Sequence, residues 1–270
     1  MSNAHTRDRK SDVRTFPPVE EAFRALCLEE RRPGLLAAVP LSEVRLLPEQ
    51  EAYVLRKVAR LGLTLEEVTA LSLGMAYRRD EVEAIPGGWT SKKPADGRWD
   101  AYVRAYHDLN RRLNRVSKAL ADAFGGVAEG ATREGIVGRV THVRDYFPTC
   151  LSHRAVAEAA GLGWRGLHGL IVTPEFGPAF RLSTVLLPGR MEAERRTLPG
   201  CGNCRACIEV CPVLGKFWRQ PDLDLYREGC RRRIKALALE ADVCGICVRR
   251  CWEAVAPAVE WWRAGSQTSA

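Results

Sequence analysis

Ten cysteines stand in 270 residues, and eight of them lie between Cys201 and Cys251. The run Cys201-Gly-Asn-Cys204-Arg-Ala-Cys207-Ile-Glu-Val-Cys211-Pro212 spaces its thiols by two, two and three residues and then meets a proline. A second group, Cys244-Gly-Ile-Cys247-Val-Arg-Arg-Cys251, has Cys230 fourteen positions before Cys244. Thiolates are soft ligands that suit iron–sulfur clusters and zinc. Two residues between ligands let a chain curl from one corner of a cubane to the next, and the proline turns it away once the cluster is enclosed. Eight thiolates are enough for two [4Fe–4S] clusters. Four-thiolate zinc sites built from C-x2-C pairs are the alternative, as is one cluster beside one zinc. Cys27 and Cys150 stand apart and read as ordinary buried thiols.

The first run resembles that of bacterial two-cluster ferredoxins, in which the fourth cysteine ligates the other cluster. That resemblance implies Cys201, Cys204, Cys207 and Cys251 on the first cluster, and Cys211, Cys230, Cys244 and Cys247 on the second.

Such ligands need a scaffold. With 46% hydrophobic residues the chain can bury one sizeable core plus a small appended unit, which excludes wholesale disorder. No apolar run approaches the roughly 20 residues of a membrane helix. The first 20 residues carry neither a secretory apolar stretch nor a twin-arginine signal, so the expected setting is cytoplasmic, soluble and reducing, without a disulfide framework. Lys+Arg number 41 against 33 Asp+Glu, a formal +8. Two clusters at about −2 each would lower this to roughly +4. Arg227, Arg231, Arg232, Arg233 and Lys235 surround Cys230, and Arg249 and Arg250 precede Cys251. They offset cluster charge, or face an anionic partner such as RNA or an acidic electron donor.

Residues 1–18 read as a flexible arm and 256–270 as a tail. Helices are expected over Val19 to Glu30, Glu49 to Arg60, Trp99 to Phe124 and His153 to Ala160. The third is the most strongly patterned, with Tyr102, Tyr106, Leu109, Leu113, Val116, Leu120 and Phe124 on one face. Thr69 to Tyr77 reads as a buried strand, and residues 86 to 98 as a loop. Leu170 to Thr173 and Phe180 to Leu187 read as two strands joined by Pro174 to Pro178. Gly161-Leu-Gly163-Trp-Arg-Gly166 satisfies G-x-G-x-x-G, but a helix precedes it and an apolar strand follows, the reverse of a dinucleotide site.

The same segment, Ala160-Gly-Leu-Gly-Trp-Arg-Gly-Leu-His-Gly169 with Leu-Ile-Val-Thr-Pro-Glu-Phe-Gly177 and Arg181-Leu182 behind it, resembles the central motif of the epoxyqueuosine reductase and reductive dehalogenase superfamily. The resemblance covers about Val140 to Trp252 and includes Cys230 standing alone between the two cysteine groups. It implies an α+β domain over 19–190, a ferredoxin-like two-[4Fe–4S] module over 191–255, and a corrinoid held base-off between them. Electrons then pass from an external ferredoxin- or flavodoxin-type donor through the clusters to cobalt. Four glycines within nine residues would let backbone approach a broad, flat ring. Gly161, Gly163, Trp164, Gly166, Gly169 and Arg181 are therefore the expected cofactor residues, close to the first cluster. No Asp-x-His-x-x-Gly run offers cobalt a histidine, and His142, His153 and His168 read as structural. Epoxyqueuosine reductases place a proton-donating aspartate thirteen residues before this motif; here that position is Phe147, which leaves Asp145 and Tyr146 as expected donors.

The function expected is that of a cytoplasmic iron–sulfur oxidoreductase delivering low-potential electrons to a corrinoid or substrate. A non-catalytic electron carrier or assembly partner, and a reductase acting on transfer RNA, are the alternatives. The cysteine-bearing segment has few large apolar residues, so its folding is expected to depend on metal.

Overall fold

A computed structural model describes residues 17–93, 95–132, 141–191, 197–217 and 223–255. The expected tail lies outside these residues, as does the arm apart from its last two positions.

Helix α1 (Pro17–Glu29) places Val19, Phe23 and Cys27, four apart, on one buried face. It begins two residues earlier than expected, since proline at a first helical turn sacrifices no hydrogen bond. Strand β1 (Gly34–Pro40) follows. In the sequence it showed only as an apolar run, because seven residues without alternation do not distinguish strand from buried helix. Helix α2 (Pro48–Ala59) opens on its proline, and β2 (Val68–Ala76) is buried at every position. After the short α3 (Arg79–Glu83) comes α4 (Arg98–Phe124), which ends where Gly125 takes φ +69° and donates its N–H to the Ala121 carbonyl. Then follow β3 (Val127–Glu129), a 3-10 segment over Val143–Thr149, and α5 (His153–Ala159), whose Ser152 side chain accepts from the Ala155 N–H. Two-residue strands β4 (Trp164–Arg165) and β5 (Ile171–Val172) lead to β6 (Phe180–Pro188).

The main sheet is antiparallel in the order β1-β2-β6-β3. Alternate residues of β2 serve two cores. Leu71, Leu73 and Met75 pack with Leu109, Leu113 and Leu120 of α4, while Val68 and Ala70 pack with Val54 and Val58 of α2 and Val156 of α5. Helices on both faces leave no room for polar alternation, and this is why the strand reads as a continuous apolar run. The two strands expected on either side of Pro174–Pro178 do not pair with each other. β5 pairs with β4 in a separate ribbon, and only the bridge Thr173–Gly177 closes the turn before β6 enters the main sheet.

The cysteine-bearing segment forms α6 (Ala206–Val210), α7 (Pro212–Phe217), α8 (Leu223–Leu237) and α9 (Ile246–Val255). Its own core is small: Cys207, Ile208 and Leu214. Leu237, Val243, Ile246 and Val248 instead join the large core beside α4. The segment thus borrows apolar burial from the α+β layer as well as having thiols available for metal.

One buried ion pair fixes the start of β1 to α3. Arg32 donates to Glu81 through both terminal nitrogens, at 2.8 and 2.7 Å, with side chains only 5% and 7% exposed. Removing one partner strands the other charge, with Asp108 at 3.6 Å from Arg32 as partial relief. Glu81→Gln is expected to lower unfolding free energy by about 3 kcal/mol, measured by denaturant titration.

Candidate metal centres

Cys201 and Cys204 lie in the turn before α6, where the Cys204 N–H donates to the Cys201 carbonyl at 3.0 Å. Cys207 is on α6, Cys211 between α6 and α7, Cys230 on α8, Cys244 just before α9, and Cys247 and Cys251 on α9 itself. The thiols fall into two neighbourhoods. Burial, then Cys207, Cys201 and Cys204, push the Cys251 thiol far up. Burial, then Cys244 and Cys211, push Cys230 up to about 12, and Cys247 rises through burial and then Cys230, Cys244 and Cys211. Cys207 also acts on Cys247, so the two neighbourhoods adjoin. Among the described residues no three His, Cys, Asp or Glu side chains converge closely enough for one metal ion. Four thiolates, one to each iron, are the donor set of a [4Fe–4S] cubane. Thiols held this high are protonated at neutral pH, so cluster loading must expel protons.

A cavity of about 460 Å³ lies between the sheet and the cysteine helices. Cys211, Cys230, Cys244 and Cys247 all line it; Cys201, Cys204, Cys207 and Cys251 do not. One wall is aromatic, with Tyr77, Tyr102, Tyr106, Phe147 and Phe180. Burial holds the Tyr77 and Tyr102 phenols above their ordinary range, so both stay protonated donors. Five arginines line the cavity, Arg154, Arg181, Arg227, Arg231 and Arg233, against one acid, Asp242.

The expected cofactor residues divide. Arg181 lines the cavity, whereas Gly161, Gly163, Trp164, Gly166 and Gly169 are not part of its lining. Gly163 is required by packing: a Cβ there would sit 2.3 Å from the Val172 carbonyl oxygen. At Gly166 it would meet the His168 ring at 2.8 Å, so the space these glycines free is filled by the protein itself. Trp164 is half-buried in β4, opposite Val172. The cavity also adjoins the second cysteine set, not the first as the sequence suggested: Cys211 before α7, Cys230 on α8, Cys244 just before α9 and Cys247 on α9 face it.

The expected proton donors are no nearer. Asp145 is exposed and accepts from the backbone N–H groups of Thr141 and His142, at 2.7 and 2.8 Å, and those bonds hold its carboxyl below the usual range. It caps the 3-10 segment as a carboxylate. The Tyr146 side chain lies outside the described residues, while Phe147 is buried and lines the cavity.

Two residues read as structural do face the cavity. Cys150 is half-buried and lines it. His168 is 1% exposed; its Nδ1 accepts from the Leu170 N–H at 3.1 Å, and its Nε2 has no partner among the described residues. A single histidine carries no periodic signal, so only packing could single it out.

No family model matches the chain. The epoxyqueuosine reductase of Alicycliphilus denitrificans is 27% identical over 198 residues, 70% of this chain and 49% of that protein. The Salmonella typhimurium enzyme of the same name is 36% identical over 157 residues, 57% of this chain and 36% of that one. The chain is related to the epoxyqueuosine reductases. It spans half or less of the length of these relatives. A solved epoxyqueuosine reductase from Streptococcus thermophilus aligns at 18% identity, covering 86% of this chain and 65% of that one, with a TM-score of 0.43. No helix among the described residues is long and apolar enough to cross a membrane.

The cavity wall contains a titrating group with a defined consequence. His153 Nε2 donates to the Gly130 carbonyl at 2.9 Å, which leaves Nδ1 to accept from the Thr184 hydroxyl at 2.8 Å. Burial lowers this imidazole to about 4. Between about pH 6.5 and 4 the unfolded chain therefore binds a proton that the folded chain refuses, and stability falls as pH falls through that window. The expected loss from His153 is up to about 3 kcal/mol; burial lowers His168 to about 4 as well, so in a pH series of urea unfolding curves His153→Gln should reduce the loss by its own share and leave that of His168.

Proposed function

We propose that the protein is an iron–sulfur reductase related to the epoxyqueuosine reductases, carrying two [4Fe–4S] clusters that deliver electrons to an acceptor in the cavity. Cys201, Cys204, Cys207 and Cys251 hold one cluster; Cys211, Cys230, Cys244 and Cys247 hold the other. The carrying observation is that the second set lines the cavity while Cys204 of the first is exposed. An external ferredoxin- or flavodoxin-type donor then meets the first set at the surface, and the acceptor meets the second.

The clusters supply one-electron reducing equivalents when bound. The chain's own residues do the rest: the Tyr77, Tyr102 and Tyr106 wall excludes water from one side, the phenols of Tyr77 and Tyr102 can each donate a proton or hydrogen bond, and the five arginines favour negative charge in the cavity. A corrinoid is the favoured acceptor. Within that reading Arg181 is the contact retained from the expected cofactor set, while the Gly161 to Gly169 segment braces the wall from behind.

Anaerobically reconstituted protein should contain about eight irons per chain. Cys211→Ser should disturb the cavity-side cluster and Cys201→Ser the other, each with loss of about four irons and a distinct paramagnetic signal. Four or fewer irons in the unmutated protein, or stoichiometric zinc, would refute the two-cluster assignment.

Titration with cob(II)alamin under the same conditions checks the acceptor. Saturable binding below about 100 μM, with a base-off spectrum, is expected; none at that concentration puts the electron carrier in front. The carrier reading has its own support, since Phe147 stands where the related enzymes are expected to have a carboxylate and Asp145 is committed to a cap. A substrate borne on transfer RNA agrees with the positive balance of the chain. It requires binding that weakens steeply as salt is raised.

A further inference from the structure

Four of the cavity's five arginines differ in what they face. Arg231 donates to both carboxylate oxygens of Glu228, at 2.7 and 2.9 Å. Arg233 donates to the carbonyls of Thr90 and Ser91, lies 4.1 Å from the centre of the Trp89 ring and acts on Cys244, so it too faces the cysteine set. Arg154 gives one N–H to the Gly169 carbonyl at 2.8 Å and acts on Cys230, so the cysteine set is its natural counter-charge.

Arg181 has no such partner. Its Nε donates to Asn110 Oδ1 at 2.8 Å, one terminal nitrogen donates to the Thr132 carbonyl at 3.0 Å, and the guanidinium stacks 4.4 Å from the Tyr106 ring centre. All of these partners are neutral, and the other terminal nitrogen has no hydrogen-bond partner among the described residues. The residues acting on it are Tyr106, Tyr77 and Tyr102, with no cysteine among them. A half-buried cation with only neutral company is costly unless a bound anion completes it.

We propose that Arg181 anchors an anionic group, a phosphate ester or a carboxylate, of the ligand that occupies this cavity. A planar fork held by Asn110 and stacked on Tyr106 is preorganised for such a group. Tyr77 and Tyr102, kept protonated by burial, can add hydrogen bonds to the same anion. The aromatic wall would hold the apolar body of the ligand. The inference deepens the reading of the cavity as the acceptor site, and it specifies what the acceptor or substrate must carry.

The test uses cluster-replete protein at constant ionic strength. Phenylglyoxal labelling of arginines, mapped by peptide mass spectrometry, is followed while inorganic phosphate or acetate is added, with chloride as control. Selective protection of Arg181 is expected from phosphate or acetate. Absence of protection up to about 10 mM of either anion overturns the proposal. Arg181→Gln should weaken anion binding by about ten- to a hundredfold in calorimetry, and Arg181→Lys by less. If the Gln variant does not fold, labelling of the unmutated protein still decides. Two further pairs identify the source of the anion: cob(II)alamin against phosphate-free cobinamide, and guanosine monophosphate against guanosine. Tighter binding of the phosphate-bearing member, lost in the variant, supports the anchor; equal binding within both pairs opposes it. Failure of cobalamin to bind while phosphate protects Arg181 would remove the corrinoid reading and leave this one standing.

Discussion

Trp99, near the start of α4, donates its indole N–H to the Cys244 carbonyl at 2.8 Å. The next residue, Gly245, takes φ +79°, and a Cβ there would lie 2.8 Å from the Tyr102 ring and 3.0 Å from Ile85. Arg249 reaches from α9 to the carbonyls of Glu83 and Ile85. This seam joins the cysteine helices to the sheet layer, and the cavity exists because of it. A side chain at Gly245 would push α9 outward and take Cys244 and Cys247 off the cavity wall. The long α4 is therefore more than a core helix: its first turns hold the thiol-bearing backbone, and its middle turns pack the sheet.

Seen from the seam, what was readable in the sequence and what was not separate along physical lines. Local rules sufficed for α4, whose stripe recurs at helical spacing and whose end is a glycine, and for β2, whose unbroken apolar run is what burial on both faces demands. The cysteine spacing singled out eight thiols by local pattern alone, and the structure gathers them in two adjoining neighbourhoods. Strands β1 and β3 escaped: the first lacks alternation, and the second is three residues long and owes its existence to pairing with β6. The partners of β5 escaped for the same reason, since two residues cannot declare which strand they will meet. The glycine segment shows the limit most clearly. Four glycines signal close approach of backbone to something, and at Gly163 and Gly166 that something proved to be the neighbouring strand and a histidine ring rather than open space.

Electrostatics explains why the cavity wall is so basic. Cys230, Cys244 and Cys247 are buried deeply enough for burial to be the largest influence on each thiol, so their charged forms are costly without compensation. Arg154 lowers Cys230, and Arg233 lowers Cys244. The first neighbourhood has no such cations acting on Cys207 or Cys251, where neighbouring thiols are the main influence after burial. The two thiol sets therefore sit in different fields, although they are built from similar spacings.

The helices also fix how those sets relate in space. Cys247 and Cys251 are one turn apart on α9, a rise of about 6 Å, yet they belong to different neighbourhoods. Cys207 and Cys211 are likewise four apart and divided between the two, one on α6 and the other in the break before Pro212. Each neighbourhood is thus tied to the other twice through short, rigid backbone. A shift of α9 cannot move one set without moving the other, and the seam at Trp99 holds α9 against the sheet. The position of the cavity relative to both thiol sets is therefore set by a single rigid arrangement, in which α4 holds the backbone at Cys244 through Trp99 and packs against the sheet that carries Arg181.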